Sequence, residues 1–171
     1  MENVMGRGFS ARLKCAGIGV RGVVTLSRSN GLTKGGWLLV ADGSVPSTPF
    51  KFEYQKEADG RFHYSVNSGD VDSGYEGAAL GISTNGYLGV YQVASVENLW
   101  KLEVIAGQDE NRPTRFWLFG AAGEQVKVSS AVRHTGTRYG GVYRTSDRTA
   151  YLNTRKGIVA EFELDEVTLL D

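Results

Sequence analysis

The strongest constraint on this chain is that one stretch of it is written three times. Gly36-Trp37-Leu38 precedes Phe50-Lys51-Phe52-Glu53-Tyr54; Gly86-Tyr87-Leu88 precedes Trp100-Lys101-Leu102-Glu103-Val104; Ala150-Tyr151-Leu152 precedes Phe162-Glu163-Leu164-Asp165-Glu166. In each copy an aromatic-Leu pair is followed, 13, 13 and 11 residues after its aromatic, by a second aromatic that opens an alternating segment. Self-similarity of this kind fixes how many supersecondary units must combine to bury one core, so it outranks local propensity.

A second marker lies upstream. Phe9, Phe62 and Phe116 are 53 and 54 residues apart, and each begins a segment with apolar residues at alternate positions. Residues 74–88 also align without a gap on residues 138–152, matching Tyr75 to Tyr139, Gly77 to Gly141 and Leu88 to Leu152. Three units, about residues 9–56, 61–107 and 115–167, therefore cover nearly all of the 171 residues, a length suited to one domain, here 1–171.

Period-two alternation in Phe9-Ala11-Leu13-Cys15, Phe62-Tyr64-Val66, Phe50-Phe52-Tyr54, Trp100-Leu102-Val104 and Phe162-Leu164 predicts half-buried strands. For the middle unit the strands are expected over 62–66, 78–83, 87–91 and 99–105. Asp59-Gly60 and Asn85-Gly86 supply tight turns between them. Gly is frequent, at 23 residues, and no long helix-periodic window appears, so the expected class is all-β. Four short strands per unit and three units predict a β-trefoil with pseudo-threefold symmetry, six strands closing a barrel and six hairpin strands capping it. The aromatic-Leu and Trp-x-Leu pattern resembles the repeats of ricin-type lectins, fascin-like domains and fungal trefoil inhibitors at the level of architecture. A ricin-type repeat ends in Gln-x-Trp, whereas this chain reads Asn98-Leu99-Trp100, Thr48-Pro49-Phe50 and Ala160-Glu161-Phe162, so that family's sugar-binding residues are not carried over. On this reading Phe50, Trp100 and Phe162 are core, as are Trp37, Tyr87 and Tyr151.

Composition removes several function classes. Formal charge is zero, which argues against nucleic acid as a partner. Cys15 is the single cysteine, so no disulfide forms within the chain, and no segment has the length and apolarity of a membrane span. Met1 to Ser10 lacks the apolar run of a signal peptide, and the expected location is cytoplasmic. Catalytic constellations are missing as well. His63 and His134 are the only histidines, Cys15 falls in a predicted core strand, and neither a Gly-x-Ser-x-Gly elbow nor zinc-ligand spacing is found. Asp70-Val71-Asp72 lacks the Gly offset and terminal Glu of a calcium loop. The expectation is a non-enzymatic protein without cofactor or metal.

Function is then sought where the copies disagree, because loops lengthened on a rigid scaffold carry recognition. Tyr75 lies 13 residues after Phe62, but Tyr139 lies 23 after Phe116, which places about ten extra residues around 123–136. Alternation in Gln125 to Val132 suggests an extended hairpin strand there. Arg133, His134, Arg138, Tyr139, Tyr143, Arg144 and Arg148 crowd this region against Asp147 alone. Guanidinium offers paired donors and Tyr a stacking face, a combination suited to anionic or planar ligands. The charge balance agrees, with nine basic and two acidic residues in 112–156 against four basic and eleven acidic in 36–111. In the middle copy Asp70, Asp72, Tyr75 and Asn85 supply carboxylates, an aromatic face and an amide, the parts of a neutral-sugar site. The expected function is glycan or glycoprotein binding through these second-repeat residues together with His134, Arg138 and Tyr139 of the third. The competing expectation is a protein-interaction module, a trefoil protease inhibitor or a fascin-like actin binder, acting through the long third-repeat loop.

Overall fold

A computed structural model describes residues 4–17, 20–27, 35–43, 45–70, 75–90, 95–96, 99–106, 113–134, 138–139, 142–143 and 146–170. The described chain is all-β. Its first third carries β1 (Phe9–Cys15), β2 (Gly22–Leu26), β3 (Leu38–Ala41) and β4 (Pro49–Ala58). The second carries β5 (Arg61–Ser68), β6 (Leu80–Ile82), β7 (Leu88–Val90), β8 (Ser95–Val96) and β9 (Trp100–Ala106). The last carries β10 (Arg115–Phe119), β11 (Lys127–His134), β12 (Arg138–Tyr139), β13 (Val142–Tyr143), β14 (Ser146–Asn153), β15 (Ile158–Val159) and β16 (Glu161–Leu169).

Six of these strands close a barrel in the order β1, β16, β10, β9, β5, β4, with β4 returning to β1. Closure leaves none of the six with an open edge. Ala11 lies opposite Phe50, Tyr64 opposite Trp100 and Phe116 opposite Phe162, so corresponding rungs of the three thirds supply one interior layer. The next layer pairs Leu13 with Leu164, Phe52 with Val66 and Leu102 with Leu118. All twelve side chains are buried, and burial of each large apolar one stabilises the fold by about 1.5–3 kcal/mol. Phe50, Trp100 and Phe162 are core as the repeat implied.

These registers correct the upstream marker. Phe116 occupies the rung of Ala11 and Tyr64, not that of Phe9 and Phe62, whose counterpart is Thr114. Because side chains alternate with period two, a shift of two residues preserves the inward face, and the apolar pattern alone could not detect it.

Residues Val4 to Gly8 close one end of the barrel. Val4 and Met5 are buried, and the Gly6 amide donates to the Tyr64 hydroxyl at 3.0 Å. Burial of that phenol pushes its pKa up to about 12. Three hairpins, β2–β3, β6–β7 and β11–β14, stand outside the barrel. Val24 pairs with Val40 and Leu26 with Leu38, Ile82 pairs with Leu88, and Val128 pairs with Leu152. Trp37 bridges to Gly89, Tyr87 to Asn153 and Tyr151 to Leu39, so each hairpin is joined to the next and the last to the first. Leu38, Leu88 and Leu152 are buried, whereas Trp37, Tyr87 and Tyr151 are only half-buried, contrary to the expectation that all six were core. The Tyr87 ring sits edge-on to Trp37 at 6.2 Å and to Tyr151 at 5.7 Å.

Candidate functional site

The hairpins that cap the barrel differ most in length. Four rungs join β2 to β3 and three join β6 to β7, whereas β11 and β14 pair continuously over eight, from Lys127 opposite Asn153 to His134 opposite Ser146. Beyond them β12 and β13 pair Arg138 with Tyr143 and Tyr139 with Val142. The extended strand expected over Gln125 to Val132 is present as β11, which begins and ends two residues later, at Lys127 and His134.

The extra residues of the third copy lie elsewhere than the sequence alignment placed them. Lys14 pairs with Val23, Asn67 with Ala79 and Phe119 with Gln125, which makes the link from barrel to hairpin the shortest in the third unit. The surplus sits inside the hairpin, between Val128 and Leu152. The gapless match of 74–88 to 138–152 holds at Tyr87-Leu88 and Tyr151-Leu152 and fails upstream of them for the same reason. Tyr75 precedes β6 near the barrel, and Tyr139 lies in the distal part of a hairpin.

The expected site residues separate accordingly. His134, Arg138 and Tyr139 fall on the distal ladder of the third repeat, with Arg133 opposite Asp147 and Val132 opposite Arg148. In the second repeat Asp70 follows β5, half-buried, with its amide donating to Ser68 Oγ at 3.3 Å. Asn85 is exposed at the tip of the β6–β7 turn. Asp72 lies outside the described residues. Tyr75 is 8% exposed and belongs to the core, its ring so close to Gly36 that a Cβ there would meet Cε1 at 3.3 Å. A ring held that way offers no stacking face to a sugar, so the expected second-repeat site lacks its aromatic. The cause is packing: Tyr75, the large apolar residue ahead of β6, is buried against Gly36 beside the first hairpin of the cap.

Comparison of the chain with protein-family models, with curated proteins and with solved structures finds no match.

One arrangement was not visible in the sequence. Asn153, buried at the end of β14, accepts the amides of Arg155 and Lys156 on Oδ1 at 2.9 and 2.8 Å and donates to Ser129 Oγ at 3.0 Å. The Arg155 guanidinium then donates to Thr84 O at 2.6 Å, locking the base of the third hairpin onto the tip of the second. The only available signal was an Asn able to cap a turn, which is common in loops.

Cys15 and His63 do not form a pair. Cys15 is buried in the core, and desolvation pushes its thiol to about 11, so it is inert as a nucleophile. His63 faces the outer wall between inward-facing Phe62 and Tyr64 on β5. Among the described residues no group of three or more His, Cys, Asp or Glu gathers around a common point, and no helix is long and apolar enough to cross a membrane.

Proposed function

We propose that the chain is a β-trefoil and a non-catalytic, lectin-like protein that binds an anionic glycan through the distal half of its third-repeat hairpin. The trefoil reading is supported by the six-strand barrel, by corresponding aromatic rungs in the three thirds, and by one hairpin per third joined in a ring. The observation that carries the ligand reading is the eight-rung ladder β11–β14, which ends at His134 and is followed in the chain by the β12–β13 pair with Arg138 and Tyr139, whereas the other hairpins of the cap stop after three and four rungs. Arginine forks match sulfate and carboxylate oxygens, and tyrosine offers a face to the C–H surface of a sugar ring. Burial of Tyr75 moves the weight of the proposal from the second repeat to the third.

A glycan array that includes sulfated and sialylated members tests the proposal. Binding of acidic glycans that is lost on shortening 131–148 to a tight turn supports it, and a blank array removes it. The same eight-rung hairpin favours a second reading, a protein-interaction module such as a protease inhibitor, because a regular ladder longer than its neighbours can enter a cleft. Inhibition of papain-like or trypsin-like proteases by the intact chain, lost in the shortened one, selects that reading.

A further inference from the structure

The outer wall of the barrel is laced with ion pairs. Arg12 meets Glu166 at 2.7 Å, Lys14 meets Asp165 at 3.5 Å, Lys51 meets Glu53 at 3.4 Å, Arg61 meets Glu103 at 3.2 Å, and Arg115 meets Glu163 at 2.7 Å. Among the described residues, two cations of the barrel strands stand outside this pattern, Lys56 on β4 and Lys101 on β9. Both are directly opposite the same residue, His63 on β5, so one rung across three strands reads Lys, His, Lys. Each lysine disfavours a charge on the histidine between them, and among the described residues neither lysine has a carboxylate partner. The His63 side chain is more than nine-tenths buried, and its Nδ1 has no hydrogen-bond partner.

We propose that Lys56, His63 and Lys101 form an anion site on the outer barrel wall for a doubly charged tetrahedral oxyanion of the sulfate or phosphate ester class. Strands lie about 4.8 Å apart, so the stems of Lys56 and Lys101 rise some 10 Å from one another and can converge over the histidine between them. Two ammonium groups match two negative charges, each acting as a compact point charge with rotatable donors. His63 then sets the pH dependence. The groups around it are Lys56, Lys101, Asp59 in the adjoining turn, and the Ala58 carbonyl. Arg61, on its own strand, is held by Glu103 and lies 3.7 Å over the Phe119 ring. Desolvation first, and then the two lysines, hold the imidazole neutral below its ordinary range. An anion over the row offsets the lysines and lets His63 take up a proton, so binding tightens on acidification. The row lies on strands that do not pair with β11 or β14, so the proposal stands apart from glycan binding by the hairpin.

The test follows the His63 ring by NMR in the intact chain, through pH titrations in sodium sulfate, sodium phosphate and sodium chloride of equal ionic strength. The expected result is a higher His63 midpoint in sulfate or phosphate than in chloride, with affinity rising roughly three- to tenfold for sulfate between about pH 7.5 and pH 5.5. Phosphate sheds its second charge below about pH 6. Sulfate binding tighter than phosphate there assigns the sulfate ester class, and phosphate binding tighter than sulfate above that point assigns the phosphate ester class. Lys56→Gln and Lys101→Gln, both on the solvated wall, should keep the folded spectrum and abolish the difference between anions. Equal midpoints in the three salts, or a sulfate response that survives the double substitution, would overturn the site.

Discussion

The hairpins of the second and third repeats leave the barrel from corresponding rungs and end differently. β6–β7 has three rungs and a tight turn in which Gly86 adopts a positive φ of 86°, with Arg155 lying across it. Leu80, Leu88 and Val90 are buried, and Trp100 donates its indole N–H to Leu80 O at 3.2 Å, tying that hairpin to the barrel interior. β11–β14 starts on the same plan, with Val126, Val128 and Leu152 buried, and then continues for six further rungs, from Ser129 opposite Tyr151 to His134 opposite Ser146. The short hairpin packs up to its exposed turn at Thr84 and Asn85, and the long one combines packing at its base with the reach of its further rungs. Recognition is best sought where a repeat exceeds what the fold requires, because such positions are free of the demands of the core.

The largest effect that would sharpen this contrast is expected from Trp100→Ala. The change removes a fully buried indole and its bond to β6, and should lower stability by about 3–5 kcal/mol in urea unfolding. Gly157→Ala comes next. Gly157 has a φ of 104° and a Cβ there would collide with Val128 O, so a loss of about 1–3 kcal/mol is expected from strain at the base of the third hairpin. Removing the distal hairpin, residues 131–148, should by contrast change stability by no more than about 1 kcal/mol, since loop-closure entropy changes only slowly with length and every rung up to Ser130 opposite Ala150 is kept. If that truncation unfolded the protein as readily as Trp100→Ala does, the division between packing and reach would be broken.

The smallest expected effect lies on the second-repeat barrel wall. His63 has an ordinary pKa of 6.5, and burial with two facing lysines lowers it in the folded state. From its folded value up to 6.5 the unfolded chain binds more protons than the folded one, so stability falls as pH drops through this window and is fully present above it. Urea unfolding in a low-sulfate, low-phosphate buffer should show that slope in the intact chain and a flatter one in His63→Gln.

Much of the fold could be read from residue pattern. Trp100, Phe50 and Phe162 announced the barrel layer because alternation and repeat spacing both follow from a period-two strand placed three times around one core. The candidate site was read less well. Gly-rich turns and a surplus of Arg and Tyr pointed to the third repeat, but matching Tyr75 to Tyr139 set the surplus ahead of the hairpin instead of inside it, and the two-residue shift at Phe116 left an apolar, inward-facing residue that the pattern could not flag.

What the sequence by itself determined is the class, all-β, and which aromatics fill the barrel, since these depend on local periodicity and burial of apolar surface. Only the tertiary structure decided that Tyr75 is covered, that the added length lies within a hairpin, and that Lys56, His63 and Lys101 share a rung. Those facts depend on register, both between strands far apart in the chain such as β5 and β9 and within the β4–β5 hairpin. A bulge between Tyr54 and Lys56 is enough to reset which residues meet.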